Sequence, residues 1–168
     1  MRARRYAVLE ERRLNSQVHD CTAFDCGTPI LNKYLAQFAA QHRRRGVAQI
    51  YVLVDSDVPS EILGYYTLSA AQVDTAQILE ADRKRLPRFP VPCFRMGRFA
   101  IHKDQKDKGL GKLLIGLAVD RCLHAKEEVA AYALIVDAKD ENAKSFYEHY
   151  GFTACVDQPM VLYLPLGR

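Results

Sequence analysis

The sequence predicts an α/β fold: a mixed, mostly antiparallel central sheet flanked by helices. Three observations carry that expectation. Two β-branched and aromatic runs, Gln49–Asp55 and Ile62–Leu68, flank the turn-forming stretch Asp55-Ser-Asp-Val-Pro-Ser60 and so pair as an antiparallel hairpin. Helical stretches with one apolar face then alternate with further strand-like runs. Between a strand end and a helix start stands a glycine turn, Gly109-Leu110-Gly111.

In chain order, Thr28-Pro29 is a helix-start signal, a capping hydroxyl followed by proline in the first turn. Leu31, Tyr34, Leu35, Phe38 and His42 recur at helical spacing behind it, which predicts an amphipathic helix over 29–44. After the hairpin a short helix is expected around 75–84. The stretch Leu86-Pro-Arg-Phe-Pro-Val-Pro92 ends it, because three prolines cannot sit in a helix interior and should run extended over the surface. A strand over Cys93–Ile101 follows. The glycine turn then opens a helix whose Leu110, Leu113, Leu114, Leu117, Ala118 and Cys122 share an apolar face. Tyr132–Asp137 reads as a buried strand. The next helix carries Ala143, Phe146, Tyr147 and Tyr150 on one stripe and stops at Gly151. Met160–Leu164 is the last strand.

With 168 residues, no repeat and no Ser/Gly linker, one domain over 1–168 is expected. No apolar run is long enough to span a bilayer, and the charged start Met1-Arg-Ala-Arg-Arg leads into no apolar stretch. A soluble cytoplasmic protein is the expectation. The five cysteines are scattered without a CxxC, and the five histidines form no HExxH, so neither a disulfide framework nor a metal is expected. Residues 1–112 hold 19 Lys and Arg against 12 Asp and Glu, whereas residues 113–168 hold 5 against 8. The basic excess is clustered at Arg2/Arg4/Arg5, Arg12/Arg13, Arg43/Arg44/Arg45 and Arg83/Lys84/Arg85/Arg88. Such clusters neutralise phosphates or simply form a solvated face.

The turn Lys106-Asp107-Lys108-Gly109-Leu110-Gly111 has the parts of an anion site. A helix start offers unpaired N–H groups and a positive dipole end. Glycine lets the backbone approach a phosphate closely. Lys106, Lys108 and Lys112 add charge. A P-loop would need a hydroxyl after Gly111-Lys112, where Leu113 stands, and a Rossmann fingerprint would need glycine in place of Leu114. A ligand-free strand-to-helix turn is the remaining structural alternative.

On these residues the sequence resembles the GNAT N-acetyltransferase superfamily, whose acyl-CoA signature is Gln/Arg-x-x-Gly-x-Gly/Ala at a helix start. Lysine at 106 is a departure: it keeps a donor but lacks the planar geometry of Gln or Arg. The resemblance implies acetyl-CoA as donor, held by Lys106, Asp107, Lys108, Gly109, Leu110, Gly111 and Lys112. It also implies contact with the strand Phe99, Ala100 and Ile101, and with Asn142 and Phe146 on the second cofactor helix. Phe24-Asp-Cys-Gly27 with Leu31-Asn-Lys-Tyr-Leu35, Gly64-Tyr-Tyr-Thr-Leu-Ser69 and Leu86-Pro-Arg-Phe-Pro90 are similar to GNAT toxins of bacterial toxin–antitoxin pairs. That likeness implies acetylation of aminoacyl-tRNA, a ribbon-helix-helix antitoxin as partner, a homodimer and no membrane. Tyr147 matches the tyrosine that protonates the leaving thiolate, although its helical stripe also suits a core aromatic. A phenol near pKa ~10 is a weaker acid than a thiol near ~8.5, so complete transfer is uphill by about 2 kcal/mol. Tyr147 is therefore expected to hydrogen-bond the sulfur and give its proton as the bond breaks. Arg43, Arg44, Arg45, Arg83, Arg85 and Arg88 are the expected tRNA contacts. Two alternatives stand beside this reading: acetylation of a small amine or a protein N-terminus, and a non-catalytic RNA-binding module.

Overall fold

Turn residues and apolar runs place the strands where the sequence suggests, with two additions. The structure is a computed structural model that describes residues 8–167. The basic group Arg2, Arg4 and Arg5 lies outside the described residues. Eight strands are formed: β1 (Leu9–Arg13), β2 (Gln49–Asp55), β3 (Gly64–Val73), β4 (Val91–Met96), β5 (Phe99–Ile101), β6 (Ala133–Asp137), β7 (Thr153–Ala154) and β8 (Val161–Pro165). The α-helices are α1 (Pro29–Gln37), α2 (Ala39–Arg44), α3 (Glu80–Arg83), α4 (Leu110–Ala125) and α5 (Glu141–His149). The strand order is β1-β2-β3-β4-β6-β8-β7, with β5 beside β3. The registers of β3 with β4 and of β6 with β8 are antiparallel, whereas β4 and β6 run parallel and need the crossover that α4 supplies. The sheet is thus mixed and mostly antiparallel, as expected.

The chain forms two compact units, Met1–Thr67 with Arg98–Ala118, and Leu68–Gly97 with Val119–Arg168. In the first, Tyr34 and Leu35 of α1 pack with Ile50, Val52 and Val54 of β2, and with Phe24, Tyr65 and Ala100. Burying a side chain of this kind stabilises by roughly 1.5–3 kcal/mol. Gly64 is a packing requirement here: a Cβ would lie 2.8 Å from Ile101 Cδ1 and 3.0 Å from the Ala100 carbonyl. In the second unit Val91, Cys93, Ala133, Ile135, Cys155 and Tyr163 make the core. All five cysteines are free; Cys26, Cys93, Cys122 and Cys155 are buried and Cys21 is half-buried.

Several expected elements are interrupted. The helix over 29–44 breaks at Phe38, whose φ of −120° ends α1 before α2 begins. The Tyr34 hydroxyl and His42 Nδ1, 3.0 Å apart, pair across the break. Thr28 takes the extended N-cap backbone, but its hydroxyl makes no cap bond; its carbonyl accepts from Leu31 and Asn32 instead. The helix expected at 75–84 is a 3-10 turn, Thr75–Gln77, capped by Asp74, followed by α3, because Ile78 is extended. The long strand splits at Gly97-Arg98 into β4 and β5. Pro87, Pro90 and Pro92 are all exposed, and Pro92 is the second residue of β4. On α4, Leu113 is exposed, and Ile115 joins Leu110, Leu114, Ala118 and Cys122 in burial. Gly151, at φ +93°, ends α5 as expected.

Candidate active site

The glycine turn is built by two left-handed residues. Asp107 has φ +68° and Gly109 +77°, and no atom lies within 4 Å of where a Gly109 Cβ would stand. The first helical bond of α4 runs from Leu113 N–H to the Gly109 carbonyl at 3.2 Å. The N–H groups of Leu110, Gly111 and Lys112 therefore have no intrahelical partner. No acidic residue stands in this first turn. Lys108 and Lys112 are exposed beside it, while the Leu110 side chain is buried and leaves only its N–H for an anion. A pyrophosphate fits this arrangement of open backbone donors, positive dipole end and lysines.

Lys106 reaches from the turn to the loop before α1. Its ammonium donates to the Cys26 carbonyl at 2.9 Å, in the loop before α1. Gln105, just before it, is buried, and its Oε1 has no hydrogen-bond partner among the described residues. In β5, Phe99, Ala100 and Ile101 pair with Tyr66, Tyr65 and Gly64 along one edge. No strand pairs with the other edge among the described residues.

Arg98, not singled out by sequence, lies before β5 with its guanidinium 3.6 Å from the Tyr34 ring centroid. Its N–H donates to Thr67 Oγ1, and its carbonyl accepts from Thr67 N–H, both at 3.1 Å. A conventional ladder pair is thus replaced at the strand break by a side-chain hydroxyl.

In the second unit α5 places Tyr147 inward, 4% exposed, with Phe146 and Phe152 rings each at 5.5 Å. Burial raises the Tyr147 phenol above its ordinary range, and the Asp137 carboxylate adds to the shift. Both effects favour the neutral phenol. Its competitors are engaged elsewhere: Tyr65 donates to the Leu31 carbonyl and Tyr66 to Glu11, both at 2.7 Å. Tyr150 forms the C-cap of α5 and packs on Phe146. Asn142 is exposed on the first turn of α5, and Phe146 is half-buried. Asp137 receives two bonds from Arg95, at 2.8 and 2.6 Å, a bidentate pair that links β4 to β6.

The arginine clusters line concavities. Arg83, Lys84 and Arg88, with Thr75, Leu86 and Pro87, border a cavity of about 430 Å³. Arg43 and Arg44, with Asn15 and Gln17, border another of about 300 Å³. Arg45 and Arg85 are exposed outside these walls. Tyr163 holds the first of these segments: its hydroxyl donates to Asp82 at 2.7 Å and accepts from Leu79 N–H at 3.1 Å.

The split strand, the crossover helix with an open start and the buried tyrosine describe a class of acyl-transfer enzyme. Residues 38–161 match the acetyltransferase (GNAT) domain, and the chain belongs to the GNAT acetyltransferase family, whose donor is acetyl-CoA. Within it, the chain is similar to toxins. A tRNA-acetylating toxin of Mycobacterium tuberculosis is 29% identical over 149 residues, covering 89% of this chain and 87% of the relative. The structure of AtaT complexed with acetyl-methionyl-tRNAfMet matches with a TM-score of 0.88 at 27% identity, over 94% of this chain and 95% of that one. A tyrosine-to-phenylalanine mutant of AtaT, bound to the C-terminus of the antitoxin AtaR and acetyl-CoA, matches at 0.80 and 26% identity, over 94% and 93%. Among the described residues no helix is long and apolar enough to cross a membrane.

Proposed function

We propose that this chain is a cytoplasmic toxin that transfers an acetyl group from acetyl-CoA to the amino group of an aminoacyl-tRNA. It acts as a homodimer and is neutralised by a ribbon-helix-helix antitoxin. The observation that carries the acceptor reading is that Arg43, Arg44, Arg83 and Arg88 line cavities instead of standing on a convex face. Phosphate contacts of this kind position an RNA without reading its sequence. Likeness to tRNA-acetylating relatives supports the same reading.

Acetyl-CoA supplies the acetyl group as a thioester when bound. In this reading the N–H groups of Leu110, Gly111 and Lys112 hold its pyrophosphate, aided by Lys106 and Lys108. The backbone of Phe99, Ala100 and Ile101 holds the pantetheine arm, with Asn142 and Phe146 as further contacts. The attacking amine forms the new C–N bond as the C–S bond breaks. Tyr147 gives its proton to the departing sulfur and is reprotonated from solvent, which takes up the proton the amine loses. An α-amino group near pKa ~8 is appreciably neutral already, so no carboxylate base is required.

The test uses purified protein, labelled acetyl-CoA and total aminoacyl-tRNA, with label released on an amino acid by mild deacylation. Replacing Arg83, Arg85 and Arg88 together by alanine should raise KM for charged tRNA about tenfold or more and flatten its salt dependence. The KM for acetyl-CoA should be unchanged. Label on polyamines or peptides with none on tRNA would favour the small-amine reading.

A further inference from the structure

The loop before α1 is fastened to the chain that leads into the glycine turn. Lys103 N–H donates to the Asp25 carbonyl at 2.8 Å, and its ammonium lies 3.0 Å from Asp25 Oδ2. Lys106 closes a second link, to the Cys26 carbonyl, and the Phe24 ring stands edge-on to His102 at 5.7 Å. The loop is itself braced on α1. Asp25 Oδ1 accepts from Gly27 N–H and Asn32 Nδ2, both at 2.9 Å, and Asn32 Oδ1 accepts from Cys26 N–H at 2.8 Å. Gly27, at φ +84°, permits the loop to fold back so that both carbonyls face the lysines. Asn32, Asp25, Lys103, Lys106 and Cys26 thus form a hydrogen-bonded network, closed through the covalent chain from Lys103 to Lys106, that joins a helix to a turn remote in sequence. Linked bonds of this kind reinforce one another.

We infer that Asp25, Lys103 and Lys106 are positioning residues for the donor, a latch that sets the glycine turn and couples its occupancy by acetyl-CoA to the ordering of α1. The inference rests on the donor reading above. Lysine suits this role better than the planar Gln or Arg of the signature. One of its three N–H donors is spent on the Cys26 carbonyl, and an ammonium carries two more. Asp25 and Lys103 have no place in the proposed cofactor contacts, so any effect they have on acetyl-CoA passes through the latch.

The full-length protein is titrated calorimetrically with acetyl-CoA, and amide exchange over Pro29–Gln37 is followed with and without it. Asp25→Asn, Lys103→Met and Lys106→Met should each raise the dissociation constant about threefold to tenfold. The double variant Asp25→Asn with Lys103→Met should be no worse than the weaker-binding single one, because both changes break the same link. Protection of α1 should rise on acetyl-CoA binding in the wild type and not in Asp25→Asn. Lys103→Arg keeps the pair and should bind within about twofold of wild type, which separates latch loss from general misfolding. Normal binding by Asp25→Asn and Lys103→Met, with only Lys106→Met impaired, would overturn the latch and leave Lys106 as a direct contact. Absence of acetyl-CoA binding by the wild type would sink the donor reading itself, and the latch with it.

Discussion

Helices α4 and α5 begin in opposite ways. At the start of α5, Asp140 accepts from Ala143 N–H at 2.8 Å, and Glu141 stands in the first turn. Its dipole end is satisfied by its own carboxylates, so it attracts no further anion. At the start of α4 there is neither an acid in the first turn nor a β-carbon on Gly109, and lysines stand around it. The deficit of partners for the first N–H groups is partly met by Asp140 in α5 and has no such side-chain acid in α4. Under the proposed function one helix end serves stability and the other a ligand, and α5 contributes Tyr147 from its interior face.

The largest expected effect tests that division from the α5 side. Tyr147→Phe should lower kcat by about 10²–10⁴, the range for a lost general acid, while calorimetric affinity for acetyl-CoA stays within twofold. Because burial raises the phenol, the group stays protonated further into alkaline pH than a free tyrosine. The wild-type rate should therefore show no alkaline fall below about pH 10. A fall centred near pH 8 would assign the acid to another group.

Making the start of α4 resemble that of α5 comes next. Gly111→Asp places a carboxylate in the first turn and should weaken acetyl-CoA binding about tenfold to a hundredfold, with melting temperature little changed. Unaltered affinity would remove the turn as the pyrophosphate site. The smallest effect is the converse one. Asp140→Ala removes a cap, should cost about 1 kcal/mol in denaturant unfolding, and should leave acetyl-CoA affinity within twofold. A large loss of affinity would mean that α5 also receives the cofactor's charge.

What the sequence revealed of this fold follows from where its physical signals are local. The glycine turn, the stop at Gly151 and the first hairpin strand are set by neighbours in the chain and lie where expected, whereas the second, β3, spans Gly64–Val73 and not Ile62–Leu68. β1 escaped notice because Glu10, Glu11, Arg12 and Arg13 hide its alternation. It pairs only with β2, at one end of the strand order, where charged side chains suit an edge. The break at Phe38 is equally silent, since Leu31, Tyr34, Leu35 and His42 keep helical spacing through it. Tyr147 was legible by its motif, yet its burial and raised phenol needed the fold. Lys103 and Arg98 gave no signal, because their partners are distant in sequence, and Asp25 stood out only as part of the toxin-like stretch Phe24-Asp-Cys-Gly27. The acid sensitivity of the latch is likewise a tertiary property. Gly27 N–H, Asn32 and Lys103 together hold the Asp25 carboxyl down at about 2. Its contribution to stability is complete above pH ~4, the ordinary carboxylate range, and is lost as pH falls through that value toward 2.

The sulfur atoms carry a consequence of their own. Oxidants and alkylating reagents attack the thiolate of an accessible cysteine. Burial pushes the Cys93 thiol up to about 11 and raises Cys155 and Cys21 as well. Cys26 and Cys122 are shut inside the fold. Burial thus disfavours the thiolate at Cys93, Cys155 and Cys21, which slows their reaction with peroxide near neutral pH.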